Sequence, residues 1–268
     1  MKYKLIVLDL DDTLLKNDRT ISKITKEKLY LAQKAGVKIV LASGRPTFGI
    51  KSIANELNLS ENGGYIISYN GARIIDCKTQ NELFAINITK EDVHYLYDVA
   101  VENGAYIQTY IGDDIVANES NEYTDIEQQI TGMDVVIRDD FKAAVKTDMV
   151  KVIVLQAPEK LKNLEEKLKD EMADKMYMTI SKPFFLEFMN KSVDKSKSIE
   201  RLAKMLSIDM DDVIAIGDSY NDLSMIKSAG LGVAMANSVD EVLKSADYIT
   251  LDNEHDGVAK VIDEFILN

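Results

Sequence analysis

Apolar and polar positions alternate in blocks along the first part of the chain. Strongly apolar runs predict strands at 5–8, 37–42, 65–68 and 72–76. Helical spacing of apolar residues predicts helices from Ser22 to Ala35 and from Pro46 to about Leu57. Asn70-Gly71 is a strong signal for the tight turn of a hairpin. Strands that alternate with helices in this way favour a parallel sheet with right-handed crossovers.

The middle of the chain, residues 84–187, has a different pattern. Short strand-like pieces follow one another and mix with helices, at 105–111, 114–117, 151–155, 176–181 and 184–189. The predicted helices are at 89–103, 122–130 and 158–172. Hairpins mixed with helices predict an α+β domain with an antiparallel sheet.

From Asp194 onward the first pattern returns. Predicted helices lie at 197–206, 222–228, 239–245 and from 257, with strands at 213–216, 231–234 and 248–250. The sequence therefore predicts a Rossmann-like α/β core, with a parallel sheet and helices on both faces, built from residues 1–83 and 188–268. Residues 84–187 are predicted to be a separate inserted domain.

Charge and composition exclude several classes of function. The formal charge is −13, from 32 basic and 45 acidic side chains, which argues against a nucleic-acid partner. The single cysteine, Cys77, excludes an intrachain disulfide and a zinc site built from thiolates, and it suits a reducing, cytoplasmic location. No targeting peptide and no apolar run of the ~18 residues that a membrane span requires is visible. We expect a small-molecule substrate and no membrane partner.

Carboxylates follow two of the predicted strands. Asp9, Asp11 and Asp12 come after the strand at 5–8, and Asp218 follows the strand at 213–216. The first group alone is equally compatible with a solvated turn. Because the carboxyl ends of parallel strands meet at one edge of a sheet, Asp9 and Asp218 could share a hard cation such as Mg²⁺.

Two further clusters offer groups that bind anions. Ser43, Gly44 and Arg45 supply a hydroxyl, a backbone N–H and a guanidinium where a helix begins, which favours a phosphate. Lys195 lies near the start of another helix, where a cation opposes the helix dipole and so calls for an anionic partner. Taken alone, each cluster is more simply an ordinary polar turn.

Jointly, the four clusters resemble the haloacid dehalogenase superfamily, and more closely its Cof-type branch of sugar-phosphate phosphatases with a large inserted C2B-type cap. The resemblance covers nearly the whole chain. Its four motifs correspond to DLDDTLL at 9–15, LASGRP at 41–46, VDKSKS at 193–198 and GDSYND at 217–222. Many relatives have glycine where this chain has Asp12, although aspartate also occurs there within the branch.

The resemblance implies a role for each motif residue. Asp9 is the implied nucleophile, Asp11 the general acid and base, and Lys195 and Ser43 bind the phosphate. Asp9, Asp218 and the backbone carbonyl of Asp11 are the implied ligands of Mg²⁺. Gly44, Arg45 and Asn221 are additional candidates for phosphate binding.

The implied activity is Mg²⁺-dependent hydrolysis of small phosphomonoesters through an aspartyl-phosphate, with residues 84–187 as a lid that selects the substrate. We expect a monomer or a weak homo-oligomer. A phosphomutase of the same fold and a non-catalytic sugar-phosphate sensor remain alternatives. A receiver-type signalling module would also combine aspartates, a lysine and Mg²⁺, but it needs only about one domain of ~120 residues.

Overall fold

The computed structural model describes residues 2–268 of the chain. Its strands, from β1 to β14, are Leu5–Leu8, Lys38–Ala42, Tyr65–Ser68, Arg73–Asp76, Glu82–Ala85, Tyr106–Ile111, Asp114–Ala117, Asp134–Ile137, Val152–Leu155, Met176–Lys182, Phe185–Asn190, Val213–Gly217, Leu231–Ala234 and Tyr248–Ile249. Its α-helices, from α1 to α11, are Lys23–Lys34, Thr47–Glu56, Leu59–Asn62, Lys90–Glu102, Glu122–Thr131, Phe141–Ala144, Pro158–Met172, Lys195–Met205, Leu223–Ser228, Asp240–Ser245 and Gly257–Ile262.

The chain forms two compact units. The core unit consists of the residues up to Phe84 together with Asp194–Asn268, and the inserted unit is Ala85–Val193. None of the helices within residues 2–268 combines the length and the apolar character needed to cross a membrane.

The core unit is built on one sheet. Its eight strands among residues 2–268 follow the order β14-β13-β12-β1-β2-β3-β4-β5. The pairs from β14 to β3 are parallel, whereas β4 returns antiparallel to β3 as the Asn70-Gly71 signal predicted. Leu8 is in register with both Leu41 and Ile216. The loops that follow β1, β2 and β12 therefore leave the sheet at the same edge.

Alternate residues of each central strand face opposite sides of this sheet. Ile6 and Leu8 pack with buried residues of α1, α2 and α11, and Leu5 and Val7 pack with buried residues of α8, α9 and α10. Side chains alternate along a strand, so a strand that is apolar at every position needs helices on both faces. The predicted α/β fold class is confirmed.

The inserted unit has a second sheet in which, within the described residues, six strands follow the order β10-β11-β9-β6-β7-β8. Helices α4 and α7 bury one face of it, where Leu96 of α4 and Leu161 of α7 belong to the same buried cluster as Phe188 of β11. The sheet is antiparallel, as the sequence predicts, except at β7 and β8, which pair in parallel. Helix α5 lies between β7 and β8 in the chain and allows this parallel return.

Candidate active site

The residues that follow β1 form the centre of the candidate site. The Asp9 amide donates to the Ile216 carbonyl at 3.0 Å, which extends the parallel pairing by one residue before the chain turns. A helical turn, Leu10–Leu14, then redirects the backbone, and Asp12 within it is left-handed with φ of 59°. Asp9 is therefore buried at the tip of the strand, whereas Asp11 and Asp12 are exposed.

Lys195 lies between two buried carboxylates. Its Nζ donates to Asp9 Oδ1 at 2.5 Å and to Asp222 Oδ1 at 2.6 Å. Burial alone would lower the pKa of Lys195, but Asp9 and Asp222 outweigh that effect and raise its pKa above the ordinary value. The ammonium is therefore held in its charged form beside Asp9.

Asp222 holds this lysine in place, a role that the sequence analysis did not assign. Its Oδ2 accepts from the backbone amides of Asp218 and Ser219, both at 3.1 Å, while its Oδ1 accepts from Lys195. Both oxygens are thus occupied and the residue is fully buried. Its position one turn after Asp218 in the fourth motif was the only signal in the sequence.

Asp218 is brought next to Asp9 by the pairing of β12 with β1. Its Oδ1 accepts from the Thr13 hydroxyl at 2.6 Å, a contact that sequence reasoning missed. Burial raises the pKa of the Asp218 carboxyl to about 6, with the charges of Asp222 and Asp12 adding to the effect and Thr13 opposing it.

Burial also raises the pKa of the Asp9 carboxyl well above its usual range. The charge of Asp222 adds to this effect, and Lys195 opposes it.

The donor set at this edge fits a divalent cation. One carboxylate oxygen from each of Asp9, Asp218 and Asp222 lies within 4.8 Å of the others. Both Asp222 oxygens already accept hydrogen bonds, so Asp9 and Asp218 are the better placed of the three to offer a carboxylate oxygen to a cation. A bound divalent ion of hard character would stabilise the charged forms of Asp9 and Asp218, which burial disfavours.

The second motif follows β2 at the same edge. Ser43 is buried, and its Oγ accepts from the Arg45 amide at 3.2 Å. The Arg45 guanidinium makes a two-point contact with the Asp11 carboxylate, in which Nε donates to Oδ2 at 2.9 Å and Nη2 donates to Oδ1. The structure therefore places Asp11, the expected general acid and base, in contact with Arg45, a candidate for phosphate binding.

Asn221 belongs to the fourth motif but reaches the turn after β3. The residue is exposed, and its amide donates to Asn70 Oδ1 at 3.1 Å. A Cβ on Gly44 would lie 3.2 Å from the Asn70 amide atoms, so Gly44 also borders this contact. The second and fourth motifs are thus joined through Asn70.

A cavity of about 560 Å³ opens beside Asp218. Asp12, Ser219, Asn237, Asp252 and His255 are among the residues that line it. Asn237 donates to the Asp12 carbonyl at 2.7 Å, which fixes the left-handed turn after Asp11. His255 is mostly exposed and pairs with Asp252 at 2.7 Å.

Comparison with known proteins agrees with this geometry. The family model of haloacid dehalogenase-like hydrolases matches residues 6–262. A solved haloacid dehalogenase-like hydrolase from Bacteroides thetaiotaomicron is 42% identical, with a TM-score of 0.94 over 98% of this chain and 99% of that one.

A curated relative, the 5-amino-6-(5-phospho-D-ribitylamino)uracil phosphatase YcsE of Bacillus subtilis, is 31% identical over 98% of this chain and 96% of its own. The solved subclass IIB sugar phosphatase BT4131 is 24% identical with a TM-score of 0.79 over 98% of each chain, and it shares the fold. The resemblance found in the sequence is confirmed: the chain belongs to the family of haloacid dehalogenase-like hydrolases.

Proposed function

We propose that the protein is a Mg²⁺-dependent phosphatase that hydrolyses small phosphomonoesters through a phosphorylated Asp9. The observation that carries this proposal is the buried position of Lys195 between Asp9 and Asp222, with Asp218 beside them. A lysine held charged beside the buried carboxylate of a strand tip is arranged to contact a phosphate that approaches this carboxylate, because its positive charge lowers the cost of bringing the phosphate there.

Each step follows from the chemistry of these side chains. A carboxylate oxygen of Asp9 attacks phosphorus, so that an O–P bond to Asp9 forms as the O–P bond to the leaving alcohol breaks. Lys195 and the Ser43 hydroxyl donate to the phosphoryl oxygens, where negative charge accumulates in the transition state. Asp9 and Asp218 would hold Mg²⁺, which would offset the repulsion between the Asp9 carboxylate and the phosphate.

Asp11 is proposed to move the protons. It donates one to the leaving alcohol and then accepts one from the water that attacks phosphorus, which releases phosphate and restores Asp9. The two-point contact with Arg45 orients the Asp11 carboxylate for the second of these steps. Asp12, which is exposed and has a left-handed backbone, is proposed to shape the loop rather than to react.

Phosphorylated sugars or sugar alcohols are the proposed substrate class. The support is the similarity to YcsE, because the substrate in the name of that enzyme carries its phosphate on a ribityl chain. The inserted unit, Ala85–Val193, is proposed to be the lid that selects among leaving groups. Lids of this kind differ between enzymes that share one chemistry, because the leaving group varies while the phosphate does not.

The test is phosphate release from a panel of sugar phosphates, nucleotides and pyridoxal phosphate, with Mg²⁺ and with a chelator. Release should require Mg²⁺ and be abolished in Asp9→Asn. Asp212→Asn removes an acid of the core unit whose carboxylate pairs with Lys4, and it should behave as the wild type. Full activity of Asp9→Asn would contradict the proposal. An isomerised sugar phosphate in place of free phosphate would instead identify a phosphomutase.

A further inference from the structure

The turn between β3 and β4 has an unusual backbone. Tyr69, Asn70 and Gly71 follow one another with φ of 51°, 54° and 106°. Left-handed backbone is rare for a bulky aromatic residue, and it persists only where surrounding contacts enforce it. Such contacts are present on both sides of this turn.

On one side the turn holds the second motif. The Asn70 amide donates to the Ser43 carbonyl at 3.0 Å, and the Tyr69 amide donates to the Arg45 carbonyl at 3.0 Å. The Ser43 amide in turn donates to the Ile67 carbonyl at 2.9 Å, in the strand that leads to the turn. The backbone on both sides of the Ser43 hydroxyl is therefore fixed by this one segment.

On the other side the turn touches the start of α8, the helix that carries Lys195. A Cβ on Gly71 would lie 2.4 Å from the Asp194 carbonyl oxygen and 3.1 Å from the Lys195 amide nitrogen. The Ser198 hydroxyl, one turn into the helix, donates to the Gly71 carbonyl at 2.6 Å. The helix start can lie this close to the turn only because residue 71 has no side chain.

We propose that the Tyr69–Gly71 turn is a positioning element that sets the distance between Ser43 and Lys195, and that Gly71 is the residue on which this spacing depends. The inference rests on the proposed function, in which both residues hold one phosphoryl group. A tight turn that only reversed the chain would need neither the amide contacts to the second motif nor a helix seated against its glycine.

The first test compares Gly71→Ala with Gly36→Ala. Gly36 has φ of 94° at the end of α1, and a Cβ there would meet nothing within 4 Å, so it imposes the same backbone strain without the collision. Gly71→Ala should lower kcat on the order of 100-fold and weaken binding of inorganic phosphate, because a displacement of about 1 Å at a reacting centre has that effect. Gly36→Ala should lower the melting temperature and leave kcat within about twofold of wild type.

A second pair of variants keeps the test valid if Gly71→Ala does not fold. Ser198→Ala removes the hydroxyl that holds Gly71, whereas Ser196→Ala removes one on the same helix that contacts Ser228 and Glu200. Ser198→Ala should lower kcat about tenfold and weaken phosphate binding, and Ser196→Ala should change neither by more than about twofold.

Two results would overturn the inference: equal kcat in the two glycine variants, or equal phosphate affinity in the two serine variants. Affinity for inorganic phosphate, measured by calorimetry, reports the spacing without turnover. A wild type that binds phosphate but releases none from any ester would contradict the proposed function while leaving this measurement intact.

Discussion

Asp222→Asn tests whether the buried ion pair organises the site. Asp222 and Lys195 both have 0% side-chain exposure and lie 2.6 Å apart. The Asp222 carboxylate accepts from Lys195 with one oxygen and from two backbone amides with the other. Asparagine has the same shape but only one oxygen, so its NH₂ group must face either the ammonium or the amides, and both are donors.

The expected cost follows from these contacts. One buried donor group is left unpaired, which costs about 1–3 kcal/mol, and one of the two carboxylates that pair with the buried Lys195 is lost. Removing one partner of a buried pair destabilises by about 3–5 kcal/mol in total. With a urea m-value of about 2 kcal/mol/M, the unfolding midpoint should fall by about 2 M. Turnover should fall as well, because Lys195 loses one of the two carboxylates that fix its ammonium beside Asp9.

Asp212→Asn is the matched control. Asp212 also lies 2.6 Å from a lysine, Lys4, in the core unit, but the Lys4 side chain is 57% exposed and that of Asp212 is 21% exposed. Its urea midpoint should stay close to that of the wild type, because solvent and salt screen an exposed pair. Equal midpoints for Asp222→Asn and Asp212→Asn in urea would refute the view that burial of Lys195 between two carboxylates organises the site.

Two further predictions concern protonation. Because metal ligands must be ionised and burial raises the pKa of Asp218 to about 6, Mg²⁺ affinity measured by calorimetry should fall about tenfold per pH unit below about pH 6; affinity that does not change there would contradict this. In the inserted unit, the Tyr110 hydroxyl donates to buried Glu127 at 2.5 Å, and burial raises the pKa of the Glu127 carboxyl above 4.5. The protonated Glu127 side chain therefore contributes fully to stability below pH 4.5, and this contribution is lost as the pH rises through the folded-state pKa of Glu127. Glu127→Gln stays neutral, so its melting temperature should exceed that of wild type by an amount that grows as the pH rises from 4.5 through the folded-state pKa of Glu127, and a constant difference would contradict the assignment.

Local patterns predicted most of the elements. The strands Tyr65–Ser68 and Leu231–Ala234 and the helix Pro158–Met172 begin and end where the sequence placed them. Each has continuous apolar character or a strong helical stripe, and Pro158 suits the first helical position.

The missed elements are strands with a weak sequence signal. Glu82–Ala85 is exposed or half-buried at every position, and Asp134–Ile137 lies at the edge of its sheet with no buried residue. Edge strands are specified by pairing with a distant partner, so their own residues carry little periodicity. The short helices Leu59–Asn62 and Phe141–Ala144 were also missed, because one turn gives no repeat to detect.

The candidate site also contains residues that the sequence predicted and residues that it did not. That Asp9 and Asp218 would meet followed from the edge of a parallel sheet, which topology fixes. The roles of Asp222 and Thr13 did not follow, because each depends on which side chain lies opposite in space. Lys195 and Asp222 are 27 positions apart in the sequence, and no local pattern relates a helix start to a strand tip over that distance.

The central claim is that Asp9 becomes phosphorylated, and chemical trapping tests it most directly. Asp11→Asn should slow hydrolysis of the intermediate, so this variant is mixed with substrate and Mg²⁺, quenched in acid and treated with borohydride, which reduces an acyl phosphate to an alcohol. Peptide mass spectrometry should then find homoserine at position 9, with the substituted asparagine at position 11 and the aspartate at position 12 unmodified. Reduction at another residue, or none while the wild type releases phosphate, would contradict the account.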